Sequence, residues 1–192
     1  MSNSHTKRIN SEKEDNDMKE KILKLIPEFN EIKDEKLKVA TLNVFVTALE
    51  KGEWKPEDLD KIPFTLLKQT DVSFLRHTRG VTQTCISAGK LVKSNYPKEV
   101  SINMDHLISG AILHDVGKLL EYKKEGSKFA KSKSGKYLRH PFSGMGIAFS
   151  SNIPEEVLHI IAVHSKEGDG AWRSPEAVIL HHADFTNFEI FH

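Results

Sequence analysis

Residues 110–118, Gly-Ala-Ile-Leu-His-Asp-Val-Gly-Lys, constrain this chain more than any other stretch. Around them Ile108, Ala111, Ile112 and Leu119 recur with a period near 3.6, which predicts a buried helix over 105–121. His114 and Asp115 are neighbours on that helix, about 100° apart around its axis. An imidazole nitrogen and a carboxylate oxygen so placed can converge on one cation at about 2.0–2.2 Å. An isolated His-Asp pair is more often an ordinary polar helix face. Here the pair has company, because other histidines and an aspartate end apolar helical stripes elsewhere in the chain.

The remaining pattern is helical. Residues 1–17 are polar and mixed in charge, too poor in apolar side chains to offset ordering, and read as a disordered tail. Ile22, Leu23 and Ile26 predict a helix over 17–26, stopped before Pro27. Leu37, Ala40, Thr41, Val44, Ala48 and Leu49 predict another over 34–51, closed by Gly52. Residues 18–70 therefore form a helical N-terminal extension, which either packs on the later domain or offers a homodimer surface. Asp71 caps a long helix to about Ser94, with His77, Val81, Ala88 and Leu91 near one face. Residues 122–139 carry seven basic residues against one acidic, with Gly126 and Gly135, and read as a flexible basic connection or loose hairpin. Such a run is a solvated face, or an electropositive arm over a phosphate-bearing ligand. His140-Pro141 opens the next helix, where Gly144 and Gly146 permit close packing. Pro154 opens another, whose stripe of Val157, Ile160 and Ile161 ends in His164. Ser174 caps a last helix carrying Ala177, Leu180, His181 and Asp184 on one side. The fold class is all-α.

Composition excludes little and excludes it cleanly. A chain of 192 residues is long enough for one domain with a sizeable core. A net charge of +1 gives no whole-molecule field marking a nucleic-acid or membrane binder. The lone Cys85 rules out an internal disulfide and suits a reducing compartment. With no long apolar run and no apolar leader, a cytoplasmic location is expected.

His77, His114, Asp115, His140, His164 and Asp184 place candidate ligands on separate helical segments. Four imidazoles and two carboxylates suit one or two first-row or alkaline-earth divalent ions, Mn, Fe, Mg, Ni, Co or Zn. A bridging Asp115 could hold two ions close enough to activate one water. In order and spacing, RHTRGV, GAILHDVGK, RHPFSGMGIA, EEVLHIIAVHS and SPEAVILHHAD resemble the HD superfamily of metal-dependent phosphohydrolases over residues 70–188. The resemblance implies an HD-domain helical bundle over 71–192 in which His77, His114, Asp115 and Asp184 hold one metal. In two-metal members Asp115 bridges, and His140 and His164 hold the second ion. Lys118 matches the lysine of the HD-x-x-K pattern, which implies contact with a phosphate oxygen or the attacking water.

The segment after His164, Ser-Lys-Glu-Gly-Asp-Gly-Ala-Trp, departs from the cyclic-di-GMP phosphodiesterase branch, which carries a histidine, a glutamate and a Gly-Tyr-Pro motif there. The ending SPEAVILHHADFTNFE is similar to the HD domain of bacterial 3′–5′ exoribonucleases, whose N-terminal nucleic-acid domain residues 17–70 do not match. The expected activity is hydrolysis of a phosphomonoester or phosphodiester, of a nucleotide by preference, with nucleic acid a weaker partner. The same ligands also serve diiron oxygenases of the HD fold, and a non-catalytic nucleotide-sensing module is the third alternative. Arg76, Arg79, Lys136, Arg139, Lys166 and Arg173 are candidate phosphate contacts, each with an exposed charge as the plainer reading. His181 is expected to orient Asp184 or to line the pocket, and His182, His106 and His159 to be structural.

Overall fold

The computed structural model describes residues 15–191. Most of the tail predicted over 1–17 lies outside them, and residues 15–17 already belong to the first helix, α1 (15–25). The order continues α2 (Glu35–Gly52), α3 (Phe74–Asn95), α4 (Met104–Leu113) and α5 (Lys118–Glu121). A hairpin follows, β1 (Tyr122–Glu125) and β2 (Lys128–Lys131), then α6 (Lys133–Tyr137), α7 (His140–Ser150), α8 (Glu155–Val163) and α9 (Pro175–Glu189). The all-α reading holds, the antiparallel hairpin being the one sheet among the described residues.

The N-terminal helices share one buried cluster with the rest of the chain. Ile22, Ile26, Phe45 and Leu49 pack with Ile108, Ile112, Leu119 and Ile161. Phe29, Phe45 and Phe74 run edge to face through it, with ring centroids 6.3 and 6.2 Å apart. Polar links stitch the same seam. Asp105 accepts the backbone N–H groups of Lys33 and Asp34, each at 2.9 Å. The Thr41 and Ser109 hydroxyls meet at 2.7 Å in the core, and the Trp54 indole donates to the Leu119 carbonyl at 2.7 Å.

Several predicted boundaries move for identifiable reasons. The helix expected over 105–121 breaks after Leu113, and 114–117 form turns before α5 starts. The tightening shows in i→i+3 bonds, Val116 N–H to Leu113 at 3.0 Å and Lys118 N–H to Asp115 at 2.8 Å. Gly117 permits it, since a Cβ there would stand 2.1 Å from the His140 carbonyl. Helix α3 is capped by Ser73 rather than Asp71. Its inner face runs through His77, Val81, Cys85 and Gly89, while Leu91 is exposed. In α2 the left-handed closing residue is Glu53 (φ 58°) and not Gly52. Gly52 is small for another reason: a Cβ there would meet the Leu119 carbonyl at 2.2 Å. Gly144 packs close to Gly117, whereas Gly146 faces open space. The basic connection is less loose than its composition implies, because Tyr122 is buried and Phe129 packs on Trp54, centroids 6.1 Å apart. Among the described residues no helix is long and apolar enough to cross a membrane.

Candidate metal centre

The turn after Leu113 carries the two central residues. His114 closes α4 and Asp115 follows it in the turn, with both side chains in the space enclosed by α3, α7, α8 and α9. His77 arrives from the first turns of α3, His140 from the first residue of α7, His164 from the C-cap of α8 and Asp184 from mid-α9. The structure thus gathers all six residues that the sequence singles out.

Asp115 stands at the centre, and its two oxygens face different partners. Oδ2 lies 3.5 Å from His77 Nε2 and 3.4 Å from His114 Nε2. Asp184 Oδ1 closes that side, 3.0 Å from His77 Nε2 and 3.8 Å from His114 Nε2. Asp115 Oδ1 lies 3.3 Å from His140 Nε2 and 3.8 Å from His164 Nε2. Two donors bound to one ion at about 2.0–2.2 Å are separated by about 3.0–3.6 Å at octahedral to tetrahedral angles. Four of the six spacings lie in that range and the Asp184–His114 and Asp115–His164 pairs, at 3.8 Å, just beyond it, so the donors are close to ion-binding separation; His77, His114 and Asp115 form one buried group, and Asp115, His140 and His164 another.

Hydrogen bonding sets the rings for that role. His114 Nδ1 faces the Ala111 carbonyl at 2.7 Å and His164 Nδ1 the Ile161 carbonyl at 2.8 Å. A carbonyl only accepts, so Nδ1 carries a proton and, in the neutral ring, Nε2 presents a lone pair inward. Among the described residues these two buried Nε2 atoms have no hydrogen-bond partner. A buried acceptor left unpaired is costly, and a cation at each position removes the cost.

The electrostatics agree. Burial opposes ionisation of Asp115, but Lys118, His114 and His140 outweigh it and hold the carboxyl well below its usual range. Burial likewise opposes Asp184, and the His77 contact brings it down to about 2. Burial and the neighbouring His114 push His164 down to about 3, so its ring is neutral. Burial lowers His77 as well. His114 moves the other way, since Asp115 and Asp184 overcome the effect of burial. Lys118 is buried, and its Nζ donates to Asp115 Oδ2 at 2.6 Å and to the Phe64 carbonyl at 2.7 Å.

A cavity of about 230 Å³ opens over Asp115, Lys118, His140 and Asp184. Of the basic candidates, Arg139 and Lys166 line it. Arg139 bridges Glu121 and Glu167. Arg173 instead ties the 163–169 loop, donating to the Val163 carbonyl at 2.8 Å. Arg79 pairs with Glu28 at 3.1 Å, and Arg76 and Lys136 are exposed. His181 does not orient Asp184; its Nδ1 meets the His164 carbonyl at 2.7 Å. His159 accepts the Ser174 N–H at 3.1 Å and stacks on Trp172.

Three features escape sequence reasoning. Glu121, almost fully buried, accepts both the His140 backbone N–H (2.9 Å) and its Nδ1–H (3.1 Å), which turns Nε2 toward Asp115. Phe64 stacks on His77, centroids 4.5 Å apart. Lys131 joins the rim from β2. Only a lone glutamate three residues past Lys118, at the edge of a basic run, hinted at the first.

Comparison with known proteins agrees with this geometry. The sequence pattern of the HD domain matches residues 74–186, more than half of the chain. The chain belongs to the HD-domain family. A dihydroneopterin 2′,3′-cyclic phosphate phosphodiesterase of Methanocaldococcus jannaschii is 32% identical over 120 residues, which are 60% of this HD-domain chain and 46% of that relative. The aligned region thus spans less than half of the relative's length. No solved structure matches the chain.

Proposed function

We propose that this HD-domain protein is a hydrolase that cleaves a phosphate ester of a nucleotide-like small molecule with two divalent metal ions. His77, His114, Asp115 and Asp184 would hold one ion, and His140, His164 and Asp115 the other. The observation that carries the reading is Asp115, whose two oxygens face two separate sets of unpaired or inward-turned imidazole nitrogens. Ions bound there would polarise a phosphoryl oxygen and lower the pKa of a water toward neutrality. Residues 71–192 would form the catalytic domain, with 18–70 as its helical extension.

The chain's own groups account for the rest. The carboxylates of Asp115 and Asp184 stay ionised, so neither competes for a proton with the attacking water. Lys118 places a fixed positive charge on the cavity wall, where it can meet a phosphoryl oxygen as negative charge develops in the transition state. Arg139 and Lys131 reach the same cavity from the rim. The relative's cyclic phosphate substrate supports a phosphodiester or cyclic phosphate of small size.

The test joins metal analysis to turnover. Purified protein should carry divalent metal, and with Mn it should hydrolyse at least one member of a panel of nucleoside monophosphates, 2′,3′-cyclic phosphates and dinucleotides without oxygen. His114→Ala and Asp115→Ala should lower that rate by about a hundredfold or more. A strict requirement for dioxygen would overturn the hydrolase reading in favour of diiron oxygenase chemistry. Protein that binds no metal would overturn it in favour of a non-catalytic module.

A further inference from the structure

Helix α7 lies at the surface without the charges of a surface helix. From His140 to Pro154 the chain has no aspartate, glutamate, lysine or arginine, in a sequence that is 29% charged. Ser143, Gly144, Ile147 and Ala148 are buried on its inner side. Phe142, Met145, Gly146 and Phe149 fall within about 100° of arc on the other. Phe142 is 48% and Phe149 70% exposed, Met145 is half-buried, and a Cβ on Gly146 would meet nothing within 4 Å. Tyr137 and Leu138, 80% and 50% exposed, directly precede the helix, and Leu138 is within about 8 Å of chain from His140. An aromatic, charge-free face has the composition of an interface core. Along the chain, charge resumes only beyond the two ends of α7, and with opposite sign. Lys133 and Lys136 are exposed before it, and Glu155 and Glu156 are exposed in the first turn of α8 after it. Arg139 is already held by Glu121 and Glu167. No ion pair among the described residues uses Lys133, Lys136, Glu155 or Glu156.

We propose that two copies of this chain pair through α7, antiparallel about a two-fold axis beside Met145 and Gly146. Phe142 and Phe149 stand equally far from that centre, about 5 Å along the helix, so the rotation sets Phe142 of one copy beside Phe149 of the other. Gly146, with no side chain, leaves room for the crossing. The same rotation carries Lys133 and Lys136 toward the acidic end of the other copy, with its helix C-terminus and its Glu155 and Glu156. A parallel pairing would oppose like charges at both ends. An anionic membrane or nucleic acid would answer the lysines and repel the glutamates. The two phenylalanines expose about 240 Å² and Tyr137 and Leu138 about 260 Å² more, so two faces offer about 1,000 Å², the lower limit for a specific complex. That size implies a reversible dimer. The pairing does not depend on the hydrolase reading, and either can fail without the other.

Sedimentation velocity on the full chain, at about 1 to 200 μM, should resolve a monomer–dimer equilibrium with a Kd on the order of 10 μM. Phe149→Ser, at an exposed position, should weaken it about tenfold or more, and Leu91→Ser, at an exposed position on α3, should leave it unchanged. Charge reads the orientation. A variant with Lys133→Glu and Lys136→Glu, and another with Glu155→Lys and Glu156→Lys, should each self-associate less than the parent chain. An equimolar mixture of the two should restore the dimer, because only the mixed pair has opposite charges at both ends. A chain monomeric to the highest concentration, or a dimer indifferent to Phe149→Ser, would overturn the pairing. Failure of the two charge variants to rescue each other would overturn its antiparallel sense. A monomer that co-sediments with phosphatidylserine vesicles would assign the face to a membrane instead.

Discussion

Glu121 ties the basic hairpin to the candidate centre, and replacing it should show how much His140 depends on being held. One oxygen of the carboxylate accepts two hydrogen bonds from His140. The other meets Arg139, with Lys131 3.5 Å away. Those two cations are about two-fifths exposed, so solvent screening reduces what their pairing contributes. The two bonds to His140 are buried and charge-assisted, each worth about 1.5–3 kcal/mol. In Glu121→Gln the amide keeps one oxygen for His140 but turns an NH₂ toward Arg139 or loses an acceptor. A loss of about 2 kcal/mol is expected, read as a lower urea midpoint with an unchanged slope. The functional consequence should be local. Held by a neutral amide oxygen in place of a carboxylate, His140 should bind its ion about 10-fold more weakly, while the His77–His114–Asp184 side keeps its affinity. Competition against a chelating dye resolves the two. Equal weakening of both ions, or of neither, would refute the claim that Glu121 acts through His140.

Further outcomes follow from the same geometry. Gly117→Ala should cost about 3 kcal/mol, because its Cβ would collide with the His140 carbonyl, Ser143 and Gly144. Gly146→Ala meets nothing within 4 Å and should raise stability by up to about 1 kcal/mol through helix propensity. Thermal melts of the two variants should move in opposite directions. Trp54→Phe leaves the buried Leu119 carbonyl without its donor and should destabilise by about 1–3 kcal/mol, seen by urea denaturation. Metal binding should also differ in its proton count. His114 is shifted upward and must shed a proton to bind, whereas His164, at about 3, has none to lose at pH 6. Acidification from pH 7 to 5.5 should therefore weaken the His114 position first. Calorimetry in two buffers of different ionisation enthalpy should find a proton released there, and no release at pH 6 would contradict the assignment.

The helical class, the set of inward-pointing residues and the family were all legible in the chain. Each of His77, His114, Asp115, His140, His164 and Asp184 ends an apolar stripe or opens a helix, and burying those stripes forces their polar ends toward a common interior. Periodicity could not show that the helix predicted over 105–121 breaks after Leu113. The turn that follows sets Gly117 against the His140 carbonyl, a contact between segments far apart in sequence. Nor could spacing reveal that Glu121 orients His140 or that His181 turns to the His164 backbone. The physical reason is common to all of them. A helix selects its buried face by local periodicity, but which backbone a glycine must admit, and which acceptor a buried N–H finds, are settled only when separate elements pack. The sequence determined which residues turn inward, and the tertiary structure alone decided that they meet around the two oxygens of Asp115.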